Sequence, residues 1–169
     1  AAQAERTAPT GRFVVAAPQM FGRLHVAPEL CAFLVRHPAV TGELVLSDRF
    51  VNLVDDGVDC AVRIGVLDDS SLVARVVGAT RRVIVAAPRY LARAGKLRTP
   101  DDLAGHDVIH SSALGAAPEW RFVRDGEDRR IAIAPRFTTN SPDAAIGHAE
   151  LGAGLTMALA YQVVALTPR

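Results

Sequence analysis

The first part of the chain shows a continuous apolar run followed by a helical repeat of apolar residues. Arg12–Ala17 is almost entirely apolar, which predicts a first β-strand that is covered on both faces. Met20–Arg36 follows with apolar residues at helical spacing, and Pro28 within it should kink the helix or mark a late start. His37-Pro38 ends this helix. Its core-facing residues are predicted to be Leu24, Leu30, Phe33 and Leu34.

A second stretch, Glu43–Arg75, combines a strand, a short helix and another strand. Glu43–Leu46 is a β-rich apolar run. Ser47 or Asp48 can cap the helix after it, because a short side-chain oxygen accepts hydrogen bonds from the free amides of a first helical turn. The helical spacing is carried by Phe50, Leu53 and Val54, and Gly57 ends the helix.

The strand after this helix, Val58–Ile64, alternates apolar and polar residues and ends at Gly65. A polar turn, Asp68-Asp69-Ser70-Ser71, closes the stretch. A β-α-β crossover leaves loops at the carboxyl ends of its strands, and open α/β sheets bind ligands there. Residues that fall at such ends are Asp48, Arg63, Gly65 and Ser70.

The motifs of these two stretches resemble those of a known family. Residues 46–75 read LSDRFVNLVDDGVDCAVRIGVLDDSSLVAR, similar to a pattern of S-D-R, a short helix ending E-G-x-D, A-I-R-I-G and D-S-S-L-x-A-R. Residues 14–40, VVAAPQMFGRLHVAPELCAFLVRHPAV, resemble S-A-P-x-x-F-G followed by a helix and a Y-P-x-V turn. The family is that of the LysR-type transcriptional regulators, in their effector-binding (regulatory) domain. The resemblance runs from Gly11 to about Ala160 and is most specific between Pro18 and Arg75.

The resemblance implies an α/β fold of two lobes, like that of type 2 periplasmic binding proteins, with a mostly parallel sheet flanked by helices in each lobe. We expect residues 1–10 to be the end of a linker, 11–80 to form lobe I and 81–160 to form lobe II. Residues 161–169 are interpreted as a truncated C-terminal segment, because a domain of this type returns to lobe I after its last strand and this return is not recognisable here.

The second half of the chain predicts short strands and helices in alternation. Asp125-Gly126 between two alternating runs is a hairpin signal, and Asn140-Ser141-Pro142 is typical of a capped helix start with proline at its first position. The predicted strands are Arg81–Ala87, Asp107–His110, Trp120–Val123, Arg130–Ala134, Arg136–Thr139 and Gly154–Leu159; the predicted helices are Arg89–Ala94, Pro100–Ala104 and Pro142–Leu151.

Charge and composition narrow the function classes. The net charge is +1, without the basic stripe that nucleic acid requires, so the resemblance implies DNA binding only through an N-terminal winged helix-turn-helix that is not in these residues. No apolar run approaches the ~20 residues of a membrane-spanning helix, and the start of the chain has no signal-peptide pattern. We therefore expect a fragment of a cytoplasmic protein with no membrane partner.

The two cysteines, Cys31 and Cys60, both fall at predicted apolar positions. Free cysteine is usually buried, and disulfides are rare in reducing compartments. We therefore expect both thiols to pack in the core, with a disulfide between them as the alternative.

No catalytic or cofactor constellation emerges from the motifs. His106 and His110 have the i, i+4 spacing of a zinc site on a helix, but the sequence between them predicts a strand, so we expect ordinary surface or strand-end histidines. Ser111-Ser112 lies beside His110 without a G-x-S-x-G elbow. Gly152-Ala153-Gly154 stands between a helix and a strand, the reverse of the dinucleotide-binding order. We expect no enzyme, no metal and no cofactor.

The remaining chemistry is that of a binding site. Gln19-Met20 and Asn140-Ser141 each stand where a helix begins, and the free amides and positive dipole end of a helix start favour a carboxylate. Simple helix capping is the alternative. The resemblance favours a ligand, because it implies an effector held in a cleft between the lobes. The residues that it points to are Pro18, Gln19, Met20, Phe21, Arg63, Ile64, Gly65, Ser111, Asn140 and Ser141.

The sequence thus predicts the ligand-sensing domain of a LysR-type regulator that binds a small, anionic effector. The Met20–Arg36 helix is apolar on more than one face, through Val26, Leu30, Cys31 and Val35, and a helix of this kind needs cover on both sides. We therefore expect it to pack on a partner chain as well as on its own sheet, and the resemblance implies a homodimer in which this helix packs against the second lobe of the partner. The alternative is a solute-binding protein of a transporter, which has the same fold.

Overall fold

The computed structural model describes residues 8–48, 56–65 and 72–164. The chain divides into two compact units, residues 1–74 and residues 75–169. Each unit contains its own α/β sheet, so the predicted fold class is confirmed. The predicted limits of the lobes, 11–80 and 81–160, stay a prediction. The helix predicted from Phe50, Leu53 and Val54 and the turn at residues 68–71 lie outside the described residues.

The first unit contains a three-stranded parallel sheet in the order β2-β1-β3. Its strands are β1 (Gly11–Ala17), β2 (Val40–Leu46) and β3 (Cys60–Ala61). The central strand β1 is the apolar run of the sequence, and its last four residues, Val14 to Ala17, are buried. The strand predicted over Val58–Ile64 is shorter than expected, because β3 contains only Cys60 and Ala61. The Val62 amide still donates to the Ala16 carbonyl at 2.8 Å.

The predicted first helix is a single helical run with a π-helical section rather than a kinked α-helix. It consists of α1 (Gln19–Phe21), a π-helix (Gly22–Val26) and α2 (Ala27–Arg36), with Pro28 in the first turn of α2. Proline has no N–H to donate, so the continuous helical run lacks one backbone hydrogen bond at Pro28. Gly22 sits against the sheet: a Cβ on it would lie 3.0 Å from the Cβ of Ala17. The wide turn thus begins where the helix packs against the last residue of β1.

Three predictions about buried residues in the first unit are wrong. Leu24 is 39% exposed, and both Cys31 and Cys60 are exposed free thiols. Cys60 lies on β3, which is at the edge of the sheet that the described residues form. Cys31 shares an exposed face of α2 with Val35, which is 83% exposed. The apolar character of these positions therefore does not reflect burial within the described part of this unit.

The second unit is built on a four-stranded mixed sheet in the order β4-β9-β5-β8. Strand β5 pairs in parallel with both β8 and β9, whereas β4 is antiparallel to β9. The strands are β4 (Arg82–Val85), β5 (Val108–Ser111), β8 (Pro135–Thr139) and β9 (Leu155–Leu159). The predicted hairpin is confirmed as β6 (Glu119–Arg124) and β7 (Glu127–Ala132), with positive φ at Asp125 and Gly126. Positive φ at both central residues matches the twist of a two-residue hairpin.

Helices cover the second sheet on both faces. The α-helices are α3 (Pro88–Ala94), α4 (Pro142–Glu150) and α5 (Ala160–Val163), and 3₁₀-helices span Pro100–Gly105 and Ser112–Leu114. One face buries a cluster of Ala87, Tyr90, Leu103, Val108, Trp120, Ile133, Leu155 and Met157. The other face packs Ile109 against Ala145 and Ala149 of α4. The last helix, α5, was not predicted, because its four residues are too few to show a helical repeat.

Candidate functional site

In the first unit, the parallel strands place several predicted site residues at one edge of the sheet. Because β1, β2 and β3 run in the same direction, their carboxyl ends meet at that edge. Pro18–Phe21 follows β1, Asp48 follows β2, and Arg63–Gly65 follows β3. The fold therefore brings Pro18–Phe21 and Arg63–Gly65 to the same edge, although more than forty positions separate them in the sequence.

The helix start at this edge already carries a carboxylate. The backbone amide of Gln19 donates to Oδ1 of Asp48 at 3.1 Å, and the amide of Gly22 donates to the carbonyl of Pro18 at 2.7 Å. A carboxylate is stabilised there by the positive end of the helix dipole. The sequence predicted a free amide at Gln19, and this is wrong: Asp48 from the neighbouring strand occupies it.

The side chains of the predicted residues in the first unit differ in accessibility. Gln19 is exposed, and its side chain makes no hydrogen bond within the described residues. Met20 is 8% exposed and belongs to the core. Phe21 is half-buried, with its ring 4.9 Å from that of His25. Ile64 and Gly65 are exposed at the end of the β3 segment. Of the predicted side chains in this unit, those of Gln19 and Ile64 are therefore exposed at this edge.

In the second unit, the carboxyl ends of β5 and β8 also meet at one edge of the sheet. Ser111 ends β5 and pairs in register with Thr139 of β8, and Asn140-Ser141 follows directly. The hydroxyl of Ser112 donates to the carbonyl of Thr139 at 3.4 Å, which ties the two strand ends together. The structure thus gathers Ser111, Asn140 and Ser141 as expected from their positions at strand ends.

At the start of α4, the side chain of one predicted residue caps the helix and that of the other is exposed. The Oγ of Ser141 accepts from the amide of Ala144 at 3.3 Å, and the amide of Ser141 donates to Oγ1 of Thr139 at 3.1 Å. Ser141 is therefore the N-cap of α4. Asn140 is exposed, and its side chain has no hydrogen-bond partner among residues 8–48, 56–65 and 72–164. Helix capping accounts for Ser141 but leaves Asn140 without a structural role.

The histidine pair of the sequence does not form a shared site. Nδ1 of His106 lies 3.1 Å from the hydroxyl of Tyr90, which also accepts from the amide of Asp107 at 2.8 Å. Tyr90 is 1% exposed, so His106 helps to satisfy a buried hydroxyl. Within the described ranges, no group of three or more histidine, cysteine, aspartate or glutamate side chains could hold a metal ion.

His110 lies at the end of β5, as expected for a strand-end histidine, but it is buried. His110 and Ser111 are each 5% exposed, and they line an open cavity of about 10 Å³, which is room for about one water molecule. Neither Nε2 of His110 nor Oγ of Ser111 has a hydrogen-bond partner in the described part of the chain. The sequence signal for this site is weak: it consists of a histidine at the end of an apolar strand, Val108–Ser111.

Each of the two α/β units carries polar residues at the carboxyl ends of parallel strands, where open α/β sheets bind ligands. The LysR substrate binding domain family matches residues 6–168. The chain belongs to this family, as the motifs around Ser47 and Arg63 predicted. Among the described residues, no helix is both long and apolar enough to cross a membrane.

The relatives of known sequence are regulators. The chain is 34% identical over 146 residues to an uncharacterized HTH-type transcriptional regulator of Haemophilus influenzae, covering 86% of this chain and 50% of the relative. It is 37% identical over 119 residues to the HTH-type transcriptional regulator CrgA of Neisseria meningitidis serogroup B, covering 70% and 40%. The chain thus spans about half the length of these relatives or less. The expectation of a regulatory domain rather than an enzyme is confirmed, and a transporter protein is not favoured.

Solved structures agree with this assignment. The regulatory domain of CrgA from Neisseria meningitidis superposes with a TM-score of 0.77 at 30% identity, covering 92% of this chain and 76% of that domain. The regulatory domain of AphB from Vibrio vulnificus gives a TM-score of 0.78 at 22% identity, covering 93% and 79%. The second similarity concerns the fold alone. The chain therefore corresponds to the regulatory domain of a LysR-type regulator.

Proposed function

We propose that this domain senses a small anionic effector on behalf of a cytoplasmic, DNA-binding LysR-type regulator. The observation that carries the proposal is the exposed Asn140 beside the capped start of α4. Its amide side chain is open, while Ser141 already caps the helix. A polar group left free next to the positive end of a helix dipole favours an anionic ligand.

In the first unit, the carboxylate of Asp48 already accepts from the Gln19 amide at the start of the helical run. An effector at this edge would therefore meet the Gln19 side chain rather than this amide. Gln19 and Ile64 are exposed at the same edge. We propose that the effector contacts residues from the predicted set in this unit, with Gln19 as the main polar side chain.

DNA binding belongs, in this proposal, to a part of the regulator outside these residues. The chain has a net charge of +1, which gives no electrostatic attraction for a phosphate backbone. The exposed thiols of Cys31 and Cys60 suit a reducing compartment, which supports a cytoplasmic location.

The proposal also includes a homodimer. Pro28, Cys31, Ala32 and Val35 recur at i, i+3, i+4 and i+7, and all four are exposed on α2. A helix with an exposed apolar stripe of this kind is stabilised when another surface covers it. We propose that a second copy of the chain covers this stripe.

The experiment that tests the function uses the longer natural protein. Its binding to the DNA upstream of its own gene and of neighbouring genes is measured by fluorescence anisotropy, with and without a panel of small aliphatic and aromatic acids. The proposal predicts salt-sensitive DNA binding that at least one acid strengthens or weakens. A natural protein that begins with an export signal, and that lacks any DNA affinity, would contradict it and favour a solute-binding protein.

A further inference from the structure

The imidazole of His106 lies between two partners that favour opposite charge states. One partner is the hydroxyl of Tyr90 on α3, which lies 3.1 Å from Nδ1 of His106. The other is the carboxylate of Asp102 in the 3₁₀-helix Pro100–Gly105, which His106 follows directly. Histidine is the side chain whose charge ordinarily changes between about pH 5 and about pH 8, so a histidine in this position can respond to pH.

The hydrogen bonds of Tyr90 identify the form of His106 that fits this structure. Tyr90 is 1% exposed, so its hydroxyl needs partners inside the protein. The hydroxyl oxygen accepts from the amide of Asp107 at 2.8 Å, which leaves the hydroxyl hydrogen to be donated. Nδ1 of His106 can accept this hydrogen only when the imidazole is neutral and carries its own hydrogen on Nε2. In the imidazolium both nitrogens are donors, so the hydroxyl hydrogen of Tyr90 loses its acceptor.

The carboxylate of Asp102 favours the protonated form of the imidazole instead. The pKa of Asp102 is lowered first by hydrogen bonds from the amides of Thr99 and Arg98, and to a smaller extent by the positive charge of protonated His106. An interaction between two charges is reciprocal, so the negative charge of Asp102 stabilises the proton on His106. Because Asp102 is exposed, dissolved salt screens this attraction.

The charged side chains on the neighbouring elements have contacts of their own. The carboxylate of Asp107 pairs with the guanidinium of Arg136 at 3.2 Å. The guanidinium of Arg93 lies over the ring of Tyr90, 5.5 Å from its centroid. Aspartate and arginine keep their charges throughout the pH range in which histidine ordinarily titrates, so these contacts persist when His106 changes its charge. The partners that compete for His106 are therefore Tyr90 and Asp102.

We propose that His106 is a proton-operated switch in the second unit, bound to Tyr90 when its imidazole is neutral and drawn to Asp102 when its imidazole is protonated. At the higher pH, the hydrogen bond from Tyr90 ties α3 to the turn before β5. At the lower pH, this bond is lost and the imidazolium interacts with the 3₁₀-helix instead. The switch uses none of the predicted effector residues, so it goes beyond the proposed function.

The first part of the test reads the form of the ring directly. Long-range ¹H–¹⁵N NMR follows the imidazole nitrogens of the chain as the pH is lowered from about 8 to about 5. The chain has five histidines, and His106→Asn identifies the signals of His106 by their loss. The proposal predicts that the neutral ring of His106 carries its hydrogen on Nε2. A neutral ring with its hydrogen on Nδ1 overturns the proposal.

Two variants then test the two partners separately. Tyr90→Phe removes the hydroxyl that binds the neutral ring, so the midpoint pH of the His106 signals should rise by about 0.5–1 pH unit, the effect of one hydrogen bond. Asp102→Asn removes the charge that favours the protonated ring, so the midpoint should fall, and by less at high salt. Asp125→Asn makes the same charge change on the hairpin turn and should leave the midpoint where it is in the wild type.

The proposal requires both shifts, in opposite directions. A midpoint that Tyr90→Phe or Asp102→Asn leaves in place, or that both variants move in the same direction, overturns it. If Tyr90→Phe does not fold, the position of the ring hydrogen in the wild type and the shift in Asp102→Asn decide between the outcomes.

Discussion

The amide of Gln19 and the carboxylate of Asp48 form a hydrogen bond of 3.1 Å between the first helical turn and the end of the neighbouring strand. Residues that are 29 positions apart therefore meet at the carboxyl edge of the first sheet. This contact satisfies an amide that the helix itself cannot satisfy, and it places a negative charge at the positive end of the helix dipole. The protein thus supplies its own carboxylate at a place where the sequence predicted an external one.

The first prediction concerns the stability of this contact. Asp48→Ala should lower the free energy of unfolding by about 1 kcal/mol, because it removes a side chain that acts like an N-cap. Urea denaturation measures the change. Glu43→Ala on β2, the strand that precedes Asp48, is the control: its ion pair with Arg12 has side chains 49% and 61% exposed, so it should cost less than about 0.5 kcal/mol. Equal losses for the two variants would contradict the capping role of Asp48.

The pH dependence of stability should depend on Asp102. Its carboxylate accepts from the amides of Thr99 and Arg98, each at 2.8 Å, and these hydrogen bonds, that of Thr99 first, lower the pKa of Asp102. A pKa that is lower in the folded state stabilises the fold above the ordinary carboxyl pKa. This stabilisation is lost as the pH falls through the folded pKa. Asp102→Asn should therefore make the melting temperature fall less steeply as the pH is lowered from about pH 6 to about pH 2.

The control for that experiment is Asp125→Asn, which changes an exposed carboxylate on the hairpin turn. It should leave the acid-induced fall of the melting temperature as it is in the wild type. If Asp102→Asn and Asp125→Asn have the same pH profile, the capping box at Thr99 does not contribute to acid stability.

Two glycines of the second unit should respond oppositely to the same substitution. Gly147 lies inside α4, and a Cβ there meets nothing within 4 Å, so Gly147→Ala should stabilise the protein by about 0.5–1 kcal/mol. Gly154 has φ of 159°, and a Cβ there would lie 2.9 Å from the carbonyl carbon of Asp107. Gly154→Ala should destabilise the protein by more than about 1 kcal/mol. Differential scanning calorimetry of the two variants tests the backbone geometry directly, and a stabilised Gly154→Ala would refute it.

The association of the chain should depend on the exposed face of α2. Val35 is 83% exposed on the apolar stripe, and Val35→Asp places a charge where a second copy would desolvate it. Sedimentation at micromolar concentration should show the wild type as a dimer and Val35→Asp shifted towards monomer. Val123→Asp changes a valine that is 64% exposed on the hairpin and should leave the dimer intact. A wild type that is entirely monomeric would exclude the proposed interface.

The sequence predicted those features that local signals determine. Strand ends and helix starts at Pro18 and Ser141 follow from apolar runs, proline and capping residues that lie next to each other in the chain. Burial was predicted less well: Cys31 and Cys60 are apolar in pattern but exposed, since a helix or an edge strand has a face that only another surface could cover. The burial of His110 was likewise missed, because a polar residue in a strand is expected at the surface.

Tertiary contacts could not be predicted either, because they join residues that are distant in the sequence. The hydrogen bond from Gln19 to Asp48 depends on the order of the strands in the sheet, which local propensity does not determine. Ser141 was identified as a helix start, but only the structure distinguishes the capping role of Ser141 from the open side chain of Asn140. The structure therefore places several predicted residues at strand ends, and their role in binding an effector stays a prediction.

The central claim is that the domain binds a small acid through residues at its strand ends, and calorimetric titration tests it most directly. A panel of aliphatic and aromatic acids is titrated into the wild type, Gln19→Ala and Asn140→Ala, with Ser141→Ala as the control that removes a cap. We predict that at least one acid binds. Asn140→Ala or Gln19→Ala should weaken that acid about threefold to tenfold at an unchanged melting temperature, whereas Ser141→Ala lowers the melting temperature. If no acid binds, or if both variants bind every acid as the wild type does, the proposed site is wrong.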